Sequence, residues 1–456
     1  MAGSWTSSSV DAHLEWTPGS GRQALANAVR AAIRDGRWRP DAIVPSTRAL
    51  ATDLGVARGT VTRIYADLAA EGYLRTSQGA PTRVATAGAE PLSSPDPANI
   101  RRPTHRWTLE PSRPDPSLFP RAQWLASTRR VLAHTPHETF GHGEIRGSRV
   151  LRTTLAAYLG RSRGVLADPA RIVIVAGFTQ AMTVLGHALA DVGIGELAFE
   201  DPSIDRFRQF AATTGQRITS VPVDADGLCV DRLTSPAVVV TPAHQSPLGV
   251  TMAPARRTAL TRSGAIIVED DYDGEFRFDR QQVGALQALA PERGVYAGTA
   301  SKSLSPSLRL AWLVLPRSLV DPVVAALTTS GAQPSMLDQL VLADLISSGA
   351  FDRHVRRCRL EYRTRRDKLV AALPRHLVPQ GISAGLQLYL PLSEQAEAAV
   401  PASAARHSLA IETISPHRIG AADPLWGLMV GYGAPSKLAF GGTLDALLAV
   451  LRDVSP

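Results

Sequence analysis

From Trp107 onward, short apolar runs alternate with helical stretches, and no other feature limits the fold of this 456-residue chain as tightly. The runs are RIVIVAG, AVVVTPA, AIIVEDD, GVYAGT and LAWLVLP. Each reads as a short buried strand, and helices between buried strands indicate an α/β domain with a mainly parallel central sheet. That domain is expected over 107–456. A chain of this length exceeds one ordinary core, so at least one more domain is expected.

The second unit lies upstream, over 20–85. GRQALANAVRAAIRDGRW carries Leu25, Val29 and Ile33 at a spacing of four, and Gly36 follows as a stop. PSTRALATDLG starts a short helix, with Ser46 as cap, Leu50 and Leu54 inward and Gly55 as the break. ARGTVTRIYADLAAEGYL gives a third helix, with Val61, Ile64, Tyr65 and Leu68 inward. Leu74 to Val84, with Gly79 and Pro81, reads as a small hairpin. Residues 86–106, TAGAEPLSSPDPANIRRPTHR, lack an apolar period and read as a linker, and 1–19 as a tail.

Helix, Gly-containing turn and second helix is the helix-turn-helix layout. The second helix presents Arg58, Thr60, Thr62 and Arg63 near its start, where a recognition helix meets base edges. Arg48, one helix earlier, suits a phosphate, and the hairpin would be the wing. On pattern alone the alternative is a three-helix packing module that binds no DNA.

Hydrophobic residues make up 44% of the chain and charged residues 20%, a globular balance. No apolar run approaches the roughly 20 residues of a membrane span. MAGSWTSSSVDAHLEW has no secretory pattern, and Cys229 and Cys358 give neither a metal spacing nor a disulfide framework. A cytoplasmic protein without a metal or a membrane partner is expected. The net charge of +8 does not by itself demand a polyanionic partner. It is carried almost wholly by arginine; lysine occurs only at Lys302, Lys368 and Lys437. A lysine that persists in such a composition is needed as an amine or survives by chance, and arginine cannot replace an amine that attacks a carbonyl.

Lys302 has the context for chemistry. It lies in GTASKSLSPSLRL, just past a strand, where ligands bind at the mouth of a parallel sheet. Thr299, Ser301, Ser303 and Arg309 make a group suited to a phosphate. IIVEDDY ends another strand with an acidic pair, and one carboxylate there could hold a protonated ring nitrogen. The rival reading is a lysine salt-bridged to a carboxylate as a staple of the fold.

The run VPSTRALATDLGVARGTVTRIYADLAAEGYL closely resembles the winged helix-turn-helix domain of the GntR family over about residues 20–85. Residues 107–456 resemble the fold-type I aminotransferase domain, through SRVLRTTLAAYLGRSRGV, IVIVAGFTQAM, TPAHQSPLGVTM, IIVEDDYDGEFRF and GTASKSLSPSLRLAW in that order. The joint architecture resembles the MocR subfamily of GntR regulators. The resemblance implies pyridoxal 5'-phosphate held as a Schiff base at Lys302, with Asp270 on the ring nitrogen and Tyr272 on the ring hydroxyl. It places Thr299, Ser301, Arg309, Phe178 and Thr179 around the phosphate, and His244, Gln245 and Ser246 near the ring edge. Asp271 is the lesser candidate for the ring, because adjacent strand residues face opposite ways. Arg206 matches a position that grips an effector carboxylate; the alternative is a surface arginine. The sequence departs from the pattern at Ala57, in the wing SQGAPTRV, at Phe140 and Ile204, and at Met429, where a carboxylate-binding arginine often stands. Arg418 is a candidate substitute.

The resulting expectation is a homodimeric transcription regulator that binds double-stranded operator DNA and responds to a small molecule, either pyridoxal phosphate or an amino compound. The alternatives are a working aminotransferase with an attached DNA-binding head, and a regulator whose large domain has lost its cofactor.

Overall fold

The computed structural model describes residues 14–77, 80–85, 105–141, 143–278, 283–420 and 425–454. The chain divides into two compact units, Met1–Arg102 and Pro103–Pro456. Most of the linker expected over 86–106, and Gly79 in the wing, lie outside the described residues.

The smaller unit is built from α1 (Gly21–Arg34), α2 (Thr47–Leu54) and α3 (Arg58–Ala70), followed by β1 (Leu74–Arg75) antiparallel to β2 (Arg83–Val84). The four-residue spacing in α1 buries Leu25, Val29 and Ile33 against Val61, Ile64, Tyr65 and Leu68 of α3. Ser46 caps α2 by accepting from Ala49 N–H at 3.1 Å, and Gly55 ends it at a left-handed φ of 64°. Two expectations need correction. Leu54 is only half-buried, because the helix ends there before its inward face closes. The segment taken as a tail over 1–19 is partly core: Leu14 is buried and Trp16 packs beside it.

The larger unit begins with β3 (Trp107–Thr108), α4 (Arg121–His134) and α5 (Arg149–Arg163). Then come β4 (Ile172–Val175), α6 (Phe178–Asp191), β5 (Glu196–Asp201), α7 (Asp205–Ala212), β6 (Arg217–Asp224), β7 (Gly227–Leu228), β8 (Ala237–Val240), α8 (Pro254–Arg262) and β9 (Ile266–Asp271). β10 (Gly294–Thr299), β11 (Ala311–Val314), α9 (Arg317–Ser330), α10 (Met336–Ser347) and the long α11 (Ala350–Ala372) follow. The last part holds β12 (Leu388–Pro391), α12 (Glu394–Arg406), β13 (Leu409–Ala410), β14 (Glu412–Thr413), β15 (Gly427–Val430) and α13 (Phe440–Val454).

The central sheet has eight strands in the order β4-β11-β10-β9-β8-β5-β6-β7. The pairings β10–β9, β9–β8, β8–β5 and β5–β6 are parallel, while β11 runs antiparallel to both its neighbours. All five strands read from the sequence are present, and β5, β6 and β7 join them. Helices cover both faces, which explains strands such as β4, β8 and β10 that are buried along their whole length. A second apolar core joins α11, α12 and α13 to the small sheet β12-β15-β14.

Candidate functional site

In the smaller unit, the reading face is defined by which arginines are already engaged. Arg22, Arg30 and Arg75 pair with Asp67, Glu71 and Asp41. Arg48, Arg58 and Arg63 are exposed and form no ion pair among the described residues. Arg58 and Arg63 leave the first turns of α3, beside an end that Ala57 caps with no side chain. Thr60 is half-buried and Thr62 exposed. Thr62 donates its hydroxyl to the Arg58 carbonyl at 3.0 Å, so toward a nucleic acid it offers an acceptor and a methyl group. Arg58 and Arg63 thus present guanidinium groups without ion pairs at the start of α3, and Arg48 presents a third on α2.

In the larger unit, strand register gathers the second site. Thr299 stands opposite Ala311, and Ala311 opposite Val175, so the ends of β10, β11 and β4 meet. Gly177 follows β4 and caps α6 with φ 94°, a conformation that glycine tolerates. A Cβ there would sit 3.3 Å from the Arg309 guanidinium, a tight contact added to a backbone conformation that an L side chain rarely adopts. Arg309 itself holds φ 51°, which costs an L-residue roughly 1–2 kcal/mol. The first N–H groups of α6, at Phe178 and Thr179, therefore open near the Arg309 guanidinium, an arrangement suited to an anion. Thr299 donates its hydroxyl to Ser301 Oγ at 2.9 Å on the same rim.

Lys302 is half-buried beyond that rim. Its Nζ donates to the Ser112 carbonyl at 2.6 Å and has no acidic partner in contact. Burial, with the charge of Arg206 next in weight, lowers its pKa to about 8. Asp270 is the acidic group that Lys302 feels most, and their attraction is outweighed by desolvation on both sides. The Asp270 carboxyl is buried, makes no hydrogen bond among the described residues, and is pushed well above the usual carboxylate range by that burial. The staple reading of Lys302 therefore does not describe this geometry. Asp271 faces away: Arg163 grips it through two bonds of 2.6 and 2.8 Å, and Tyr296 donates its hydroxyl at 2.6 Å.

Tyr272 closes the other side. Its hydroxyl lies 3.1 Å from His244 Nδ1, which is 2.9 Å from the Asp273 carboxylate. Ser246 also bonds the Tyr272 hydroxyl, and Gln387 donates to Ser246 Oγ at 3.4 Å. Gln245 is not brought into this group. Its amide is used by the Pro202 and Ser246 carbonyls and by Leu248 N–H. Arg206 leaves the first turn of α7 with its guanidinium over Phe207 at 4.9 Å, and its charge reaches Lys302. Sequence reasoning missed Ser112, Asp273 and Gln387. The run EDDYD carries a trace of Asp273; nothing in sequence ties Ser112 to a lysine 190 residues away.

Met429 is fully buried in β15, in an apolar cluster with Leu248, Tyr389 and Ile414, against which Ile204 packs. Arg418 is stacked over Trp426 at 4.9 Å.

Fold and sites together define a class, a DNA-reading head joined to an aminotransferase-type domain, and the comparisons agree. Residues 22–84 match the bacterial regulatory proteins of the gntR family, and residues 115–419 match aminotransferase class I and II. MocR of Rhizobium meliloti is 35% identical over 381 residues, 77% of each chain. The pyridoxine biosynthesis transcriptional regulator PdxR of Corynebacterium glutamicum is 29% identical over 455 residues, 94% of each. An archaeal alanine:glyoxylate aminotransferase shares the fold, with TM-score 0.69 and 24% identity over 76% of this chain and 90% of that one. The chain belongs to the MocR-type regulators of the gntR family, HTH-type transcriptional regulators with an aminotransferase-like domain. Among the described residues no helix is long and apolar enough to cross a membrane.

Proposed function

We propose that this regulator reads operator DNA through α3 and senses pyridoxal 5'-phosphate in its larger unit. One observation carries the reading: an amine tuned toward neutrality and a buried carboxyl without an ion pair stand within electrostatic reach of each other, while the Arg309 guanidinium meets the turn that starts α6. The bound cofactor supplies an aldehyde carbon to an amine and a cationic ring nitrogen that draws electrons. Lys302 offers the amine. Asp270 holds the ring nitrogen's proton and gains the cation its burial denies it. Arg309, the free N–H groups of Phe178 and Thr179, and the hydroxyls of Thr299 and Ser301 hold the phosphate. Tyr272 and Ser246 meet the ring hydroxyl, with His244 and Asp273 orienting Tyr272.

Arg206 stands ready for the carboxylate of an amino compound that reaches Lys302. Met429, in its apolar cluster, supplies no cation where a carboxylate-binding arginine often stands. That missing arginine favours pyridoxal phosphate itself as the signal. Lys302, Asp270 and Tyr272 together favour a second reading, slow transamination; incubation with an amino donor and a keto acid should give negligible turnover, and rapid turnover would promote the enzyme. Exposed Leu125, Leu132 and Phe140 supply apolar surface for a second copy, and paired heads suit two half-sites.

Two substitutions separate the parts. Lys302→Ala should remove the cofactor's visible absorption band. Arg58→Ala should abolish operator binding and leave that band intact. A band that survives Lys302→Ala, or DNA affinity unchanged by Arg58→Ala, overturns the corresponding half.

A further inference from the structure

The chain's positive charge is not concentrated where α3 would use it. Residues 1–85 hold ten basic and seven acidic residues, a surplus of three. The single helix α11 holds eight basic residues against Asp352, Glu361 and Asp367, a surplus of five within a chain whose net charge is +8. Core packing does not explain this. Helical spacing sorts α11 into two faces, and the inward one carries Phe351, Val355, Cys358, Tyr362 and Leu369. The outward face presents Arg353, Arg356, Arg357, Arg363 and Lys368, with Asp367 as its one acid. Leu360, at its centre, is 66% exposed.

These charges are poorly neutralised. Arg356 and Lys368 have no ion pair among the described residues, and Arg363 meets Asp367 only at 3.9 Å. At the helix start, Arg356 and Arg359 line a cleft of about 240 Å³ with Arg161 of α5; Asp352 and Glu275 stand in the same cleft, and Asp352 pairs with Arg161 at 3.2 Å, so the unbalanced charge lies on the outward face rather than there. From Arg353 to Lys368 the stripe runs about 22 Å at 1.5 Å per residue. Duplex DNA carries about one negative charge per 1.7 Å of its axis, so such a stripe spans on the order of a dozen phosphate charges.

We infer that the outward face of α11 is a second, sequence-independent DNA contact, made by the larger unit with phosphates. This rests on the proposed DNA-binding function and extends it, because sequence would be read by α3 and the larger unit would add affinity. Guanidinium groups without base-reading partners are suited to phosphate, which fixes position and carries no sequence information.

The test uses the full, cofactor-loaded chain and a random-sequence duplex of about 60 base pairs, titrated between roughly 50 and 200 mM salt. The variant Arg353→Gln/Arg356→Gln/Arg363→Gln takes three guanidinium charges away from the phosphates. It should flatten the slope of log K against log salt by about 2 to 3. Affinity should fall about tenfold or more at the lower salt. The triple Arg→Lys variant should keep most of the slope, since phosphate binding needs charge more than planarity. An unchanged cofactor band shows that the triple Gln variant is folded. An unchanged slope overturns the inference, as does a loss of self-association in that variant, which would make the face a protein interface. Arg58→Ala on operator DNA tests the α3 reading separately, so failure of one does not imitate failure of the other.

Discussion

Lys302 titrates where few lysines do, and its chemistry follows from that. Removing its amine from water and placing it near Arg206 disfavours the ammonium form, so the neutral amine appears above about pH 8. Only the neutral amine attacks a carbonyl. The rate of capture of pyridoxal phosphate by the empty protein should therefore rise with pH, reach half its limit near 8 and level off above it. A rate still rising toward 10.5, the value of an ordinary lysine, would contradict the assigned environment. At this scale much was legible. Scarcity drew attention to Lys302, and period-two alternation separated Asp270, which Lys302 reaches electrostatically, from Asp271, which faces Arg163. Gln245 was not legible, because its neighbours Pro202 and Leu248 are set by loop closure that leaves no local pattern. Ser112 was hidden for the same reason at longer range.

Among the elements, β9 carries the site on one side and its anchor on the other. Asp270 lies within electrostatic reach of Lys302, while the next residue is locked to Arg163 of α5 and to Tyr296 of β10. Asp271→Asn should leave a buried guanidinium unpaired and destabilise the larger unit by roughly 3–5 kcal/mol, read as a lower denaturant midpoint. A loss below about 1 kcal/mol would show that Arg163 finds water instead. The strands read from sequence were those buried on both faces, whose apolar runs are unbroken. β5, ELAFED, mixes carboxylates into its run, and β6, RITSVPVD, is mostly half-exposed near the sheet edge, so neither declared itself. The antiparallel sense of β11 depends on the connection through 300–310, which its own residues do not encode. In the smaller unit the helices were plain from spacing and caps; Leu54, the last residue of α2, packs on the edge of the core and stays only partly buried.

At the scale of the whole molecule, the chain joins a head whose α3 presents arginines without ion pairs to a domain whose Lys302 amine has no acidic partner in contact. Neither site needs the other to be recognised, and their order along the chain makes a regulator of the pair. Coupling between them is a free energy, and it is reciprocal: if the cofactor changes operator affinity by some factor, the operator changes cofactor affinity by the same factor. The most direct measurement is operator affinity with and without pyridoxal phosphate, for the native chain and for Lys302→Ala, with cofactor affinity measured with and without operator. The account predicts equal factors in the native chain, of about 5 to 150, and a factor near one in the variant. An operator affinity in the native chain that ignores the cofactor would contradict it.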